Sequence, residues 1–600
     1  MPTDLSKIYE LRTSFNIIGL TGRIGSGCTD VAKLLNGGFE NGNFPKPKRT
    51  PTHNTDRKYS IVYKFAKENV KPYYLIEYKD VLSLFIFKEE FETIKTFIIN
   101  FCNSEDNIQL KKNHFDQLWG VYPKINTLIS KQIFNRRPFD KKKLYRFFKS
   151  PEFKKASKVF NDTLVNISAY KRIEILHEVS NNIRKSGKAF QNTDFDASNV
   201  YKIVETINNI IKGYKEENKY DCKIVIDSLR NPLEVLFFKE RYSAFYMISV
   251  NREENEIVTE LSSRYGTSNL LKIQSIDKEE YKGGSDTEFY KQNISECVQK
   301  SDIHLSNISE EEAFKFNIKN KKNNNNTSPK FSLKQQILKY LSSMYQPGII
   351  TPSPEERSMQ IAYTAKYNSG CISRQVGAVV TDENYSIKAV GWNNTPEGQV
   401  PCLLRNSDDL IKGKDKKAFS NYEINKDELF NKKFKDYYKN LDATNLKGRN
   451  VSFCFKCIQN SIKEGKNQVH TRSLHAEESA FLQITKYGGQ GVQNGKLFTT
   501  ASPCELCSKK AYQLGIEVIY YIDPYPGIAT EHILFSGSKP RELRLFHGAI
   551  GNAYHKLYSP FMAYKDELSL LTGLEIKDIT SKMKDELKKY KEQFGDLKLS

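Results

Sequence analysis

Ser473-Leu474-His475-Ala476-Glu477-Glu478 and, further on, Ser502-Pro503-Cys504-Glu505-Leu506-Cys507 decide how this chain is read. One imidazole and two thiolates make a Cys₂His metal set, which leaves the fourth tetrahedral position for a water. A purely structural zinc site takes four protein ligands and has no use for a carboxylate beside it. Here Glu477 follows His475 by two residues, where it can take a proton from that water and pass it on. The run LHAEESAFLQITKYG predicts a helix starting near His475. The run GKLFTTASPCELCSKKAYQLG predicts a strand, a turn and a helix starting at the Pro-Cys step. Two helix N-termini then face one Zn2+, and their dipoles favour thiolate.

Two further stretches lie upstream. They are Ser369-Gly370-Cys371-Ile372-Ser373-Arg374-Gln375-Val376-Gly377-Ala378-Val379 and Gly391-Trp392-Asn393-Asn394-Thr395-Pro396-Glu397-Gly398-Gln399-Val400-Pro401-Cys402. With the H-x-E and P-C-x-x-C pair, they resemble the deoxycytidylate (dCMP) deaminase branch of the cytidine deaminase superfamily, over about Pro354 to Gly527. The first resembles the family's S-x-C-x-x-R-Q-V-G-A strand and the second its G-Y-N-G-x-P-x-G-x-x-x-C loop. The resemblance implies an α/β/α domain and one catalytic Zn2+ held by His475, Cys504 and Cys507, with Glu477 as the proton-transfer group. It also implies that Arg374 helps bind phosphate, Asn393 holds the sugar hydroxyl and the backbone at Ala476 reads the cytosine edge. Trp392 and Asn394 stand where the family has Tyr and Gly, so the mouth of the pocket, Asn394 included, differs. About fifty Lys-, Asp- and Asn-rich residues separate Cys402 from Cys454, where a minimal member is much shorter. The branch often carries a structural metal. Cys371, Cys402, Cys454 and Cys457 are the ligands this implies, with His470 as a substitute.

The N-terminal region opens with Gly19-Leu20-Thr21-Gly22-Arg23-Ile24-Gly25-Ser26-Gly27-Cys28-Thr29-Asp30, after the apolar run FNII and before the helical VAKLL. The pattern is a phosphate loop with Cys28 where Lys belongs. Gly22, Gly25 and Gly27 let backbone N–H groups approach phosphates, and Thr29 can reach Mg2+. The missing ammonium is the group that spans the β and γ phosphates. The loop is therefore expected to bind a nucleotide with weak or absent hydrolysis. Lys223–Ser228 (KIVIDS) and Ala244–Val250 (AFYMISV) are further buried-strand signals, and strands alternating with helices predict a parallel sheet. Asp227, ending the first of them and followed by Arg230, Pro232 and Glu234, resembles the acid-bearing strand of small nucleotide kinases.

These readings divide the chain into a degenerate kinase-like phosphate-loop domain at 1–316, an Asn/Lys-rich linker at 317–333 and a deaminase domain with a C-terminal extension at 334–600. A mainly helical insertion is expected at about 70–215. The fold class is α/β in both domains. The N-terminus lacks an apolar signal core and no segment approaches the roughly 20 apolar residues that span a bilayer, so a cytoplasmic protein without membrane contact is expected. The ten cysteines fit that compartment: two C-x-x-C pairs for metal, the rest dispersed. The formal net charge of +21 suggests polyanionic partners, or simply solvated lysines. Its densest patch, Arg136-Arg137 through Lys155, interleaves basic and aromatic residues, as a base-stacking surface or an ordinary amphipathic helix does.

A phosphate-loop domain ahead of a dCMP-type deaminase resembles the bacterial antiphage deoxycytidylate deaminases. The tail from Leu545 to Asp566, with Gly548, Gly551, Tyr554, Leu557, Tyr558 and Pro560, resembles that group's C-terminal signature. This implies depletion of dCTP and dCMP during infection, a homo-oligomer, and restraint by a partner such as an inhibitory RNA. Two rival readings stay open: a housekeeping dCMP deaminase with a regulatory nucleotide-binding domain, and a polynucleotide cytidine or adenosine deaminase acting on a flipped base.

Overall fold

The computed structural model describes residues 2–106, 112–129, 140–193, 195–219, 221–282, 288–322, 329–439, 441–463, 468–488, 491–523, 528–573 and 576–594. Five strands, β1 (Phe15–Thr21), β2 (Tyr74–Glu77), β3 (Cys222–Asp227), β4 (Phe245–Asn251) and β5 (Ile303–Ser306), form a parallel sheet in the order β5-β4-β1-β3-β2. The three expected apolar runs are its central strands. They read as continuous hydrophobic stretches because both faces are covered. Successive side chains alternate. Ile17, Ile224, Ile226 and Met247 enter one core with the helices of the insertion. Ile18, Val225, Tyr246 and Ile248 enter a second core on the opposite face.

The insertion is helical as expected, from Tyr78–Ile86 to Lys202–Glu217, but it begins with β2 at the sheet edge. Four residues among tyrosines and lysines at helical spacing carry too little period-2 signal to be read as a strand. The basic patch resolves in favour of the amphipathic helix. Arg136 and Arg137 lie outside the described residues. Leu144, Tyr145, Phe148 and Phe153 are buried in the insertion's core, and Lys154 pairs with Asp80 at 2.5 Å. Its central aromatic residues are packing, not a stacking platform.

The second sheet has the order β10-β9-β8-β6-β7, from β6 (Gly377–Thr381), β7 (Ile387–Trp392), β8 (Lys496–Ala501), β9 (Val518–Asp523) and β10 (Glu542–Leu545). β8, β9 and β10 run parallel, and β6 is antiparallel to both of its neighbours. Ala378, Val380, Leu497 and Ile519 pack against the helices Ala476–Tyr487 and Glu505–Gln513. Val379, Phe498, Val518 and Tyr520 pack the other way, against the helix Pro354–Ala365. This is the three-layer α/β/α arrangement. The S-x-C-x-x-R-Q-V-G-A stretch becomes strand only from Gly377; residues 369–376 are a loop.

The chain crosses the expected linker differently from the sequence division. The helix Glu310–Lys322 runs into it, residues 323–328 lie outside the described set, and the helix Leu333–Tyr345 packs into the first sheet's core through Leu338, Leu341 and Tyr345. After β10 the chain returns as β11 (Gly548–Ala549), antiparallel to β5 on the edge of the first sheet. The helix Gly551–Tyr558 then adds Ala553 and Leu557 to the same core. Glu356 fastens this return. It is fully buried and accepts from Lys339 Nζ at 2.7 Å, Tyr340 Oη at 2.9 Å, Tyr558 Oη at 2.7 Å, Ser353 N at 2.8 Å and Ala549 N at 3.0 Å. These partners hold its carboxyl down at about 2, against the burial that opposes them.

Candidate active site and glycine loop

His475 and Cys504 are the N-cap residues of the two helices that cover one face of the second sheet, both in extended backbone conformation. Their side chains therefore leave the chain at the helix mouth, and Cys507 follows one turn into the second helix. His475 Nδ1 lies 3.3 Å from Cys504 Sγ and 3.5 Å from Cys507 Sγ. Among the described residues these three are the one group of His, Cys, Asp and Glu whose donor atoms all fall within 4.8 Å of one another. A tetrahedral zinc with Zn–S near 2.3 Å and Zn–N near 2.1 Å has an N···S edge of about 3.6 Å, so the donor set fits Zn2+ in element and spacing. The Cys504 thiol is pulled down to about 3, first by its hydrogen bond with Cys507 and then by His475. The same bond raises Cys507.

Glu477 sits in the first turn of the helix Ala476–Tyr487, buried, and burial raises its carboxyl above the usual range. Thr499 Oγ1 lies 3.2 Å from Glu477 Oε1 and 2.7 Å from the Ala501 carbonyl. Burial is the larger influence on Glu477, and the hydrogen that Thr499 offers it favours the carboxylate. Ala476 is fully buried at the head of the helix. The Asn394 carbonyl accepts from Leu474 N at 2.8 Å, which brings the β7 loop against the His475 segment.

The other expected substrate residues are engaged by the protein itself. Asn393 accepts from Val376 N at 2.7 Å and donates to the Arg374 carbonyl at 2.7 Å, so its amide shapes the loop that carries Arg374. The buried Asn394 Oδ1 has no hydrogen-bond partner. Arg374 pairs with Asp523 at the end of β9. Nothing in the sequence patterns marked Asp523, Tyr281, Ser295 or Gln299, which meet there; their signal is spatial.

Cys371, Cys402, Cys454 and Cys457 come together at the root of the inserted piece between β7 and the His475 segment. Burial and then a hydrogen bond with Cys454 raise Cys457 to about 11, and Cys402 is raised by burial, with Cys454 and Cys371 both adding to it. No three of these sulfurs reach the mutual 4.8 Å of the first set. His470 is on the short turn Gln468–His470, partly buried. The inserted piece has a small core of its own, with Phe419, Phe430, Phe434 and Phe453. Arg405 is fully buried there, paired with Glu423 and flanked by the rings of Phe419 and Phe453 at 5.0 and 4.5 Å.

The glycine loop joins β1 to the helix Cys28–Asn41. Gly27 caps that helix at φ +100°, and Gly25 is at φ +84°, a region side-chain-bearing residues seldom adopt. A Cβ on Gly22 would lie 2.5 Å from the Val250 carbonyl. The loop's interior is filled by the protein. Asp277 accepts from Ile24 N at 2.9 Å and Arg23 Nε at 2.7 Å. Asn307 Nδ2 donates to the Ser26 carbonyl at 2.8 Å. Thr29 Oγ1 donates to Asp227 Oδ2 at 3.0 Å. Burial, with Asp227 next, pushes the Cys28 thiol up to about 12. Beside the loop, a cavity of about 250 Å³ is lined by Arg23, Ser26, Arg252 and Tyr281 of the first region and by Tyr521 of β9 and Leu543 of β10, so it lies between the two sheets.

Residues 352–523 match the family model of the cytidine and deoxycytidylate deaminase zinc-binding region. The deoxycytidylate deaminase of Enterobacteria phage T2 is 28% identical over 172 residues, 28% of this chain and 78% of the phage protein. The deoxycytidylate deaminase of Schizosaccharomyces pombe is 27% identical over 204 residues, 34% of this chain and 46% of its own. A solved dCMP deaminase from the cyanophage S-TIM5, in complex with dCMP and dUMP, covers 33% of this chain and 99% of its own at 21% identity, with a TM-score of 0.20. The C-terminal part of this chain carries a cytidine/deoxycytidylate deaminase domain. Its homologues include deoxycytidylate deaminases, and the family's zinc-binding region contains His475, Cys504 and Cys507. No helix among the described residues is long and apolar enough to cross a membrane.

Proposed function

We propose that this chain hydrolytically deaminates the cytosine of a free deoxycytidine nucleotide, dCMP or dCTP, to the deoxyuridine nucleotide. The observation that carries the reading is the gathering of His475, Cys504 and Cys507 at 3.3–3.5 Å, with the buried carboxyl of Glu477 on the same helix mouth. His475, Cys504 and Cys507 hold Zn2+, which when bound supplies the Lewis acidity that makes a water nucleophilic near neutral pH. Glu477 takes one proton from the attacking water and delivers it to the ring nitrogen, then takes the second from the new C4 hydroxyl and delivers it to the amine, which leaves as ammonia as the C4–N bond breaks; its raised affinity for protons suits both transfers. Thr499 orients the carboxylate through its hydrogen bond. The backbone at Ala476 meets the base edge, Asn393 and Asn394 form the sugar side, and Arg374 meets a phosphate.

The finer parts of the proposal have their own supports. The clustered thiols of Cys371, Cys402, Cys454 and Cys457 support a second, structural Zn2+ closing the root of an insertion whose core is small, as small cores commonly need a staple. The Thr29–Asp227 pair and the glycine loop support a nucleotide, with Mg2+, at Gly22, Gly25, Gly27 and Cys28 as a regulatory rather than a hydrolysed ligand. The pairing of this region with a deaminase supports depletion of the dCTP pool as antiphage defence, in the cytoplasm and in a homo-oligomer, with an inhibitory RNA as the restraint. The test is chromatography of nucleotides after incubating the chain, and Glu477→Ala beside it, with dCTP, dCMP and a cytosine-containing oligonucleotide. Deoxyuridine nucleotides from the wild type alone bear the reading out. Conversion confined to the oligonucleotide replaces it with a polynucleotide deaminase.

A further inference from the structure

Asp523 ends β9, the last residue of the matched deaminase region, and its carboxylate is the point where two helices of the first region meet Arg374. Oδ2 takes Arg374 Nη2 and Gln299 Nε2, the latter at 2.9 Å. Oδ1 takes Tyr281 Oη and Ser295 Oγ, both at 3.1 Å. An ionised carboxylate offers about four acceptor sites, and all four are filled. Three of the donors come from the helices Thr267–Lys282 and Ile294–Gln299 of the first region; the fourth is Arg374. The backbone of Asp523 reaches the other way. Its carbonyl accepts from Ser502 N at 2.9 Å, and it pairs with Ala501 across β8–β9, three residues before Cys504.

We propose that Asp523 is a positioning residue through which the first region sets how freely Arg374 engages the substrate phosphate, an inference that rests on the deaminase reading above. Arg374 is a third exposed and Asp523 is buried, so the arginine is the partner able to move. A buried carboxylate abandoned by its only cation is expensive, whereas one still holding three neutral hydrogen bonds is much less so. Tyr281, Ser295 and Gln299 supply those three bonds and so lower the cost of lending Arg374 to a phosphate. Tyr281 also walls the cavity beside the glycine loop, with the Arg23 guanidinium 5.8 Å from its ring. An occupant of that cavity would therefore press on the same tyrosine.

The test compares Tyr281→Phe and Gln299→Leu with wild type on two substrates, dCMP and the phosphate-free deoxycytidine, and repeats both changes in an Arg374→Ala background. Losing one donor tightens Asp523 on Arg374. KM for dCMP then rises roughly three- to tenfold, the size of one neutral hydrogen bond, with kcat retained. Deoxycytidine turnover stays unchanged, and the effect disappears once Arg374 is gone, since the two changes act through one contact. A Tyr281→Phe protein with unaltered dCMP kinetics, one that loses dCMP and deoxycytidine alike, or an effect that persists in Arg374→Ala overturns the proposal while leaving the deaminase reading standing. A wild-type chain that converts neither compound overturns both.

Discussion

Cys28 and Cys504 stand in corresponding places in the two halves of the molecule. Each follows a strand and a tight turn, and each sits at the N-terminus of a helix, where the dipole favours thiolate. Yet Cys504 is pulled down to about 3 and Cys28 is pushed up to about 12. The dipole does not decide the matter; the neighbours do. Cys504 faces Cys507 and His475, which donate to it. Cys28 faces burial and the Asp227 carboxylate, both of which oppose charge. The same strand–turn–helix device thus gathers metal-type donors in one sheet and, in the other, ends in a loop hydrogen-bonded to Asp277 and Asn307.

The comparison can be broken most severely at the two cysteines themselves. Cys504→Ser should remove zinc from the catalytic set and lower kcat by at least about 10³-fold, in keeping with loss of the metal-activated water and its proton relay. Cys28→Ser should change kcat less than about twofold, because a neutral thiol and a neutral hydroxyl meet the same neighbours. Metal analysis together with steady-state kinetics on both variants checks this. Equal losses would mean the glycine loop takes part in the chemistry.

The second way tests whether the two halves are separable. The folded pKa of Glu356 lies near 2, below its ordinary 4.5. Its ion pair and hydrogen bonds therefore stabilise the fold fully above about pH 4.5, and that contribution is lost as pH falls from there toward 2. The shift corresponds to about 3 kcal/mol. Urea unfolding at pH 7 and pH 4 should show wild type losing stability that Glu356→Gln lacks from the outset. A flat difference between them would place the anchor elsewhere.

Smaller effects sharpen the picture of each site. Thr499→Val keeps the shape of β8 but removes the hydroxyl beside Glu477, and should lower kcat roughly tenfold with KM for dCMP unchanged. Asp277→Asn should loosen the grip on Ile24 N and Arg23 and raise affinity for inorganic tripolyphosphate several-fold by calorimetry. No gain would show that Asn307 and the buried Cys28, rather than the acid, close the loop.

The sequence made the catalytic set readable because all of its members lie within two short motifs whose spacing the chemistry itself demands. The structure brings His475, Cys504 and Cys507 within 4.8 Å of one another and places Glu477 in the first turn of the helix that His475 caps. β1, β3 and β4 were readable as apolar runs because both faces of that sheet are buried. What escaped was set by contacts distant in the chain. The Asp277 carboxylate in the glycine loop comes from some 250 residues away. The partner that holds Arg374, Asp523, stands 149 residues on. β2 was lost among helical periodicities, and β11, two residues long, has no pattern to detect. The basic aromatic patch looked two ways because an amphipathic helix and a base-stacking surface share one composition; only burial of Tyr145, Phe148 and Phe153 separates them.

The return of the chain as β11 and the helix Gly551–Tyr558 also governs the order of events on the ribosome. The first sheet's β5 edge and part of its core are supplied by residues 548–558, made after the zinc motifs. At about 5–20 residues per second, the opening strand is made roughly half a minute to two minutes before the last strand of its sheet. Neither half is complete as a nascent fragment: the part that would do chemistry and the part that would govern it mature in the same closing step. A prematurely terminated product therefore leaves the ribosome without a finished N-terminal sheet, rather than as an unsupervised enzyme.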